Sequence, residues 1–469
     1  MMPEFAILGH PNEGKSSVVS TLTEDDKIGV SQFPGETKVS KKYTITIDGE
    51  QIISFVDTPG FQVPRKTLSW FQAFKGRPEQ IIEKFIDTFK DDPFFADECE
   101  LLFPLAKGAG IIYVVDGSRP VRDEDLAEME ILRLTGRPRM AVINSKTDEK
   151  NYISDWKLEF RKHFNSIREF DSNSADFTER IKMLESLKAI DQEWEDVLSH
   201  VISVFKKQWQ KRTNLVAALI SMTIEKSLSF CVSEAFIVSF DQEKIKEKLD
   251  KKYKTSIKKF ETLMFKKIRT LFKHNFFEYH LSEYSILRHD LFSKQTWELL
   301  GLTKKQLATA GAVIGGTVGA VVDTVAGGVT FGIFTAIGSA LGAGSALFGG
   351  KKMIQKKISG IWFGRDKLQM GPNINIQFLY VLIDRALIYY AHIINRPHGR
   401  RDLQNLSQKK GNEKQGYSTG FSSNERKVCA KYFKAVSGQY TIKDRIAVSD
   451  FEELIESQLN KIALKKISY

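Results

Sequence analysis

Cysteine is scarce: the 469 residues hold three, Cys99, Cys231 and Cys429, scattered and odd in number. None sits in a C-x-x-C pair, so neither a disulfide-framed secreted fold nor a cysteine-built metal site is expected, and a reducing cytoplasm is the default compartment. Proline is missing from residues 181–300, which leaves that stretch without the commonest helix breaker. A signal peptide is not expected, because an ordered-looking motif already begins at residue 9. Charge is plentiful except between Leu307 and Gly350, where Asp323 is the only charged side chain. A chain of this length exceeds one ordinary core, so two or three domains are expected.

The net charge of +11 is unevenly spread. Residues 1–180 carry 24 Lys and Arg against 31 Asp and Glu, which leaves 45 against 27 for residues 181–469. The positive excess therefore belongs to the C-terminal part. It reads either as a solvated lysine-rich helical face or as a surface for an anionic partner, membrane or nucleic acid.

Gly9-His10-Pro11-Asn12-Glu13-Gly14-Lys15-Ser16 fits the phosphate-loop pattern G-x-x-x-x-G-K-[ST] without a mismatch. Phe5 to Leu8 reads as the apolar strand that enters such a loop and Ser17 to Leu22 as the helix that leaves it. In this setting the glycines let backbone N–H groups turn in on phosphates, and the helix N-terminus adds its positive end. Lys15 then reaches the β- and γ-phosphates, and Ser16 takes a Mg²⁺ position. Gly9, Asn12, Glu13, Gly14, Lys15, Ser16 and Ser17 are the expected nucleotide contacts along the loop.

Ser31 to Thr37 is a polar loop punctuated by Pro34 and Gly35. Two strand-like runs follow, Lys41 to Ile47 and Gln51 to Val56, with Asp48-Gly49 as their hairpin turn. The second run ends on Asp57-Thr58-Pro59-Gly60, a D-x-x-G signature whose aspartate can hold Mg²⁺ through water and whose Gly60 amide can sense a γ-phosphate. Gly110 to Val115 reads as a buried parallel strand ending on Asp116, Asp123 to Leu134 as an amphipathic helix, and Arg139 to Ile143 as another strand. That last strand runs into Asn144-Ser145-Lys146-Thr147-Asp148, where a guanine-specific protein carries N-K-x-D or T-K-x-D.

With G-x-P-N-x-G-K-S, P-G-x-T and D-T-P-G in this order, residues 1 to about 180 resemble a translation-factor-class GTPase domain of the Era and TrmE type. The resemblance implies an α/β P-loop GTPase domain, a mostly parallel sheet flanked by helices, followed here by a mainly α-helical C-terminal region. It implies GTP and GDP as ligands and Mg²⁺ held by Ser16, Thr37 and Asp57. Lys15, Thr37, Gly60 and Asn12 take the catalytic roles. Lys146 lies along the base, Asp148 takes the guanine N1 and N2 protons, and Ser174-Ala175, after a final strand Ile167 to Phe170, contacts guanine O6.

Two positions depart from the pattern. The base-reading asparagine is either Ser145 in register or Asn144 displaced by one residue. Phe61 stands where Ras-like proteins place a water-orienting glutamine. A hydrophobic residue is usual there in the resembled group, some of whose members use the phosphate-loop asparagine, here Asn12, to help hold K⁺; slow hydrolysis, stimulated by potassium or a partner, is expected. Arg119 and Arg122 read as solvated loop arginines, with a finger role as the alternative. Between about 61 and 108 lies an insertion with an amphipathic helix, Pro78 to Phe89, and an acidic-aromatic stretch, Asp91 to Leu102. Following the second switch directly, it is placed to report nucleotide state, with a passive helix as the other reading.

Residues 181–300 read as helices almost throughout, with a packing face of Ile245, Leu249, Tyr253, Ile257 and Phe260. Residues 301–360 form a glycine-rich segment in which Gly311, Gly315 and Gly319, and then Gly338, Gly342, Ala346 and Gly350, recur every four residues. That spacing fits a helical hairpin turning near Asp323, either buried in its own domain or in contact with a membrane, with Lys351, Lys352, Lys356 and Lys357 on the cytoplasmic side. Residues 361–469 form a mixed region. There Asn375 to Ile394 suggests a strand passing into a helix, Asp384-Arg385 to Arg401 a structural ion-pair network with phosphate binding as the alternative, Gln404 to Asn424 a mobile loop, and Ser449-x-x-Glu452 the cap of a last helix.

The whole layout is similar to a bacterial family that joins such a GTPase to an uncharacterised C-terminal domain. A GTP switch docking reversibly on the cytoplasmic face of the inner membrane is the leading expectation, with an RNA- or ribosome-directed assembly GTPase and a nucleotide-gated scaffold or pore as alternatives. Lipid and a second copy of the chain are the partners considered, nucleic acid standing behind them because no G-x-x-G nucleic-acid loop or RNP-like aromatic strand is present.

Overall fold

The computed structural model describes residues 2–23, 39–144, 152–171, 177–236, 242–272, 285–303, 305–307, 334–337, 366–373, 375–394, 414–437 and 442–464. Its N-terminal part is built on β1 (Glu4–Leu8), β2 (Lys41–Ile47), β3 (Glu50–Asp57), β4 (Gly110–Asp116), β5 (Arg139–Asn144) and β6 (Ser166–Glu169), in the sheet order β2-β3-β1-β4-β5-β6. Only β2 runs antiparallel. The middle strands are continuous apolar runs with Phe5–Leu8, Ile111–Val115 and Met140–Ile143 buried, as parallel strands covered on both faces require. Asp48 and Gly49, with φ of 51° and 89°, make the two-residue turn whose twist matches the flanking strands.

One face of the sheet is covered by α1 (Lys15–Thr23), α7 (Phe177–Lys188) and the start of α8 (Glu195–Ser229). The other carries α2 (Pro64–Ala73), α3 (Ile81–Phe89), α4 (Ala96–Ala106), α5 (Asp123–Leu134) and α6 (Ile153–His163). The insertion is thus three helices. The expected face of α3 is buried at Ile81, Ile82 and Phe85, while α2 is opened by Pro64 at its first position, a start signal missed in the sequence because Val63 before it is not a polar cap.

Helix α8 is 35 residues long, about 50 Å at roughly 1.5 Å per residue. Leu198 to Phe205 belong to the core under the nucleotide-domain sheet, and Val216 to Leu228 to the core of the C-terminal region. In that second core α9 (Gln242–Leu271) buries Leu249, Tyr253 and Ile257, with Ile245 and Phe260 packed at the edge. The lysines between them stay on the outer face, so this basic helix uses its apolar stripe for packing. Residues 181–300 are not helical throughout: β7 (Val232–Phe236) pairs antiparallel with β9 (Asp366–Met370), which also pairs with β8 (Phe334–Ile337). Of the glycine-rich stretch 307–350, Leu307 and β8 are described; β8 is strand where helix was expected, because β9 supplies it with a hydrogen-bonding edge. Every glycine of that stretch, and Arg396 to Arg401, lie outside the described residues. No helix among the described residues is long and apolar enough to cross a membrane.

After α10 (Lys294–Leu299) comes α11 (Ile376–Ile394), of whose 19 residues only Ile388 and His392 are not buried. A helix apolar on all sides belongs at the centre, and α8, α9, α12 (Ser423–Ser437) and α13 (Ile442–Leu464) surround it. No strand opens this segment; Asn375 Oδ1 accepts the Gln377 N–H at 2.9 Å and starts the helix outright. Lys414 to Asn424, expected as loop, instead folds back as a short 3₁₀ turn, Tyr417–Gly420, followed by α12. Ser449 and Glu452 lie inside α13 rather than at its start, because the turns before them already pack Val448 on the core.

The adjacent charges of α11 fasten it in opposite directions. Asp384 accepts from Gly301 N (2.7 Å), Ser418 N (2.7 Å) and Ser418 Oγ (2.9 Å). Arg385 donates to both oxygens of Glu261 (2.6 and 2.9 Å) and to the His289 carbonyl (3.1 Å). This is a structural network, as the sequence suggested. Asp384→Ala leaves three buried donors unanswered and is expected to cost about 3–5 kcal/mol, seen as a lowered urea midpoint. A loss below about 1 kcal/mol contradicts the assigned role of Asp384.

Candidate functional site

The carboxyl ends of β1, β3, β4 and β5 meet at one edge of the sheet, at Leu8, Asp57, Asp116 and Asn144, where parallel α/β sheets place their ligands. The loop from Gly9 to Ser16 leaves β1 here. Gly9 has φ of 138°, and an added Cβ would lie 2.2 Å from the Val114 carbonyl oxygen, so only glycine lets the loop cross β4 so closely. Asn12 and Gly14 follow with φ of 69° and 95°, left-handed residues of the kind that bring successive N–H groups round to one side.

Side chains fix the loop from below. The Glu13 carboxylate, 4% exposed, accepts from the Asp116 backbone N–H and from Arg119 Nε at 2.8 Å. Asn144 Nδ2 donates to the Glu13 carbonyl at 3.1 Å, and Lys15 Nζ to the carbonyls of Gly9 and His10, both at 3.1 Å. Thr58 Oγ1 donates to Ile7 O at 2.7 Å and ties β3 to β1. Arg119 is neither solvated nor available as a finger. It spans Glu13 and Asp125, each at 2.6 Å, and lies over the Trp156 ring; burial opposes its charge, but Asp125 and Glu13 prevail and raise its pKa. Arg122 is exposed, as expected.

Ser16 Oγ donates to Asp57 Oδ2 at 2.7 Å. The other oxygen, Asp57 Oδ1, is buried and has no hydrogen-bond partner. Burial raises the Asp57 pKa despite the Ser16 hydroxyl and the Lys15 ammonium, which lower it. A desolvated carboxylate with an unanswered oxygen beside a serine hydroxyl fits a hard divalent cation such as Mg²⁺. Gly60 lies against the loop: a Cβ there would come within 2.5 Å of the Pro11 ring.

Gly9, Asn12, Glu13, Gly14, Lys15, Ser16, Ser17, Asp57, Gly60 and Asn144 are thus brought together at this crevice. Thr37, Ser145, Lys146, Asp148, Ser174 and Ala175 lie outside the described residues. The sequence did not reveal the inward-facing Glu13 carboxylate or its Arg119–Asp125 extension. Nor did it reveal the His10–Glu128 contact (3.1 Å), in which Tyr113 donates to the same buried carboxylate at 2.8 Å.

Two family models match. A domain of unknown function, DUF3482, matches residues 159–456. The chain belongs to this family. Residues 4–145 match the model described as 50S ribosome-binding GTPase, so the DUF3482 region is joined to an N-terminal GTPase domain similar to those of EngB and Der. Among its relatives, the probable GTP-binding protein EngB of Leuconostoc citreum is 29% identical over 203 residues, 42% of this chain and 88% of EngB. GTPase Der of Psychrobacter cryohalolentis is 27% identical over 168 residues, 35% of this chain; the chain spans only 30% of that Der. Among solved structures, Era in complex with MgGDPNP and a segment of 16S ribosomal RNA matches at 15% identity and a TM-score of 0.28, over 51% of this chain and 73% of that one.

The contact between the loop and α5 places a titratable group, His10, against a buried carboxylate. The Glu128 hydrogen bond raises the His10 pKa above 6.5 against the opposing effect of burial. A base with a raised folded-state pKa stabilises fully below its unfolded value and loses that contribution as pH rises through the folded one. The thermal midpoint of the wild type should therefore exceed that of His10→Asn by a margin that is full below the ordinary histidine pKa of about 6.5 and shrinks as pH rises above it. A margin independent of pH contradicts the assignment.

Proposed function

We propose that the chain is a GTP-binding and GTP-hydrolysing switch whose helical C-terminal half reads out the nucleotide state. The observation that carries this reading is the Ser16–Asp57 pair, in which two elements remote in sequence meet beside a complete phosphate loop with a buried carboxylate oxygen left over. Ser16, Asp57 and Thr37 would hold Mg²⁺, which supplies charge neutralisation at the β- and γ-phosphates. Lys15 adds the cation of the protein itself, and Gly60, against Pro11, brings its amide toward the γ-phosphate end of the loop. Lys146 and Asp148 read the base, Ser174 and Ala175 close on guanine O6, and Asn144 fastens the base-reading segment to the loop through the Glu13 carbonyl.

Phe61 is fully buried and orients no water, and Arg119 is committed to two carboxylates. The positive charge that stabilises transfer must come from elsewhere. Asn12 stands exposed on the crown of the loop, where its amide oxygen is a suitable ligand for K⁺. Intrinsic turnover is accordingly slow. A cytoplasmic switch that docks on the inner membrane through residues 307–350 is one use of this cycle. A ribosome-directed switch is the second, supported by the description of the matched GTPase model and by the basic C-terminal half.

Phosphate release from GTP tests the chemistry. Lys15→Ala and Asp57→Asn should each lower it by about 100-fold or more, and replacing Na⁺ by K⁺ should raise it, the direction expected of added positive charge at the transferring phosphate. Turnover unchanged in Lys15→Ala refutes the site, and equal turnover in the two salts refutes the potassium role. Sedimentation with vesicles or with ribosomes across a salt series separates the two uses.

A further inference from the structure

Helix α4 of the insertion holds both segments that flank the crevice. Its Glu98 is fully buried, and one carboxylate oxygen, Oε1, accepts the backbone N–H groups of Gln62 (2.7 Å) and Val63 (2.6 Å). These are the second and third residues after Gly60. Between them and Gly60 stands Phe61, fully buried in the core that α2, α3 and α4 build with the sheet. Two positions further along α4, Glu100 accepts the Ser40 N–H at 2.8 Å with its side chain and the Ser40 hydroxyl at 3.2 Å with its carbonyl. Ser40 opens the approach to β2 and stands three residues after Thr37 in the chain.

Residues two apart on a helix point to nearly opposite sides, so a single rigid turn reaches to the Gly60 side and to the Ser40 side at once. Neither grip is an ordinary surface pairing. Both act on backbone N–H groups, which any shift of the segment must break, and Glu98 does so from the interior, where unanswered amides are costly.

We propose that Glu98 and Glu100 are positioning residues that couple the Ser40 side and the Gly60 side of the crevice through α4. This rests on the switch reading above and adds a regulatory element to it. On the switch reading a triphosphate engages both sides of the crevice, whereas a diphosphate makes no demand on either. A helix that already holds the Gln62, Val63 and Ser40 amides reduces the ordering needed, and so favours the triphosphate state selectively. What the Gln62 and Val63 amides need is an acceptor, not a charge. Glu98 Oε2 is buried without a hydrogen-bond partner, and burial raises the Glu98 pKa. An amide of the same shape therefore serves in its place.

The test uses the full chain with fluorescent GDP and a fluorescent non-hydrolysable GTP analogue in Mg²⁺, comparing the wild type with Glu98→Ala, Glu98→Gln and Glu100→Ala. Glu100→Ala should lose triphosphate-analogue affinity by about ten-fold, the equivalent of one hydrogen bond, Glu98→Ala, which removes two, by at least as much, and both should keep GDP affinity within about two-fold. Glu98→Gln should match the wild type. Amide hydrogen exchange at residues 40, 62 and 63 should quicken in the alanine variants and not in Glu98→Gln. If both affinities fall together, if neither moves, or if Glu98→Gln behaves as Glu98→Ala, the coupling is overturned while the switch stands. If the wild type binds neither nucleotide, the switch reading fails and the coupling with it. Should Glu98→Ala not fold, Glu100→Ala, on a half-exposed side chain, decides alone by the same two affinities.

Discussion

A loop that must aim its N–H groups at a ligand cannot use them to hold itself in place. Here the holding falls to Glu13, whose carboxylate binds the Asp116 amide and Arg119 and whose carbonyl accepts from Asn144. Through that one residue the loop is tied to the ends of β4 and β5, while Ser16 and Thr58 tie in β3. Arg119 passes the restraint to α5 at Asp125, and His10 repeats it a turn later at Glu128. Four strand ends are thus locked around the phosphate position with the inner face of the loop left for ligand, which is the kind of preorganisation electrostatic catalysis requires.

The same rigidity carries outward. The segment after Gly60 enters the insertion core through Phe61, and α8 runs unbroken from the core beneath the sheet into the C-terminal core. There α11 gathers four separate stretches on its two charges: Glu261 and the 287–289 turn on Arg385, Gly301 and Ser418 on Asp384. Since α8 is one element of two cores, the nucleotide domain and the DUF3482 region share a strut rather than a linker. A displacement at the sheet therefore has a stiff path to the helices beyond it.

Much of the nucleotide domain could be read in advance because its signals are local. Each motif sits at the end of an apolar strand, and Asp48-Gly49 specifies a hairpin by itself. The base-reading asparagine was ambiguous by one residue: Asn144 ends β5 with its side chain on the loop, and Ser145 lies outside the described residues. Glu98 and Glu100 carried no signal because their partners are backbone amides, which leave no trace in the sequence. Arg119 looked like any loop arginine until folding brought Glu13 and Asp125 to it. In the C-terminal half, β7 pairs with β9 across more than a hundred residues, a contact no local pattern encodes. The Ser449-x-x-Glu452 pattern was real but subordinate, since a cap signal starts a helix only where the preceding turn is not already one.

The proposed switch depends on a guanine nucleotide and Mg²⁺ being held at this loop. Calorimetric titration of the purified full chain with GTP, GDP and ATP, with and without Mg²⁺, tests that most directly. Guanine nucleotides should bind while ATP does not, and Mg²⁺ should strengthen GTP far more than GDP. Absence of guanine nucleotide binding at millimolar Mg²⁺, or equal binding of ATP and GTP, would contradict it.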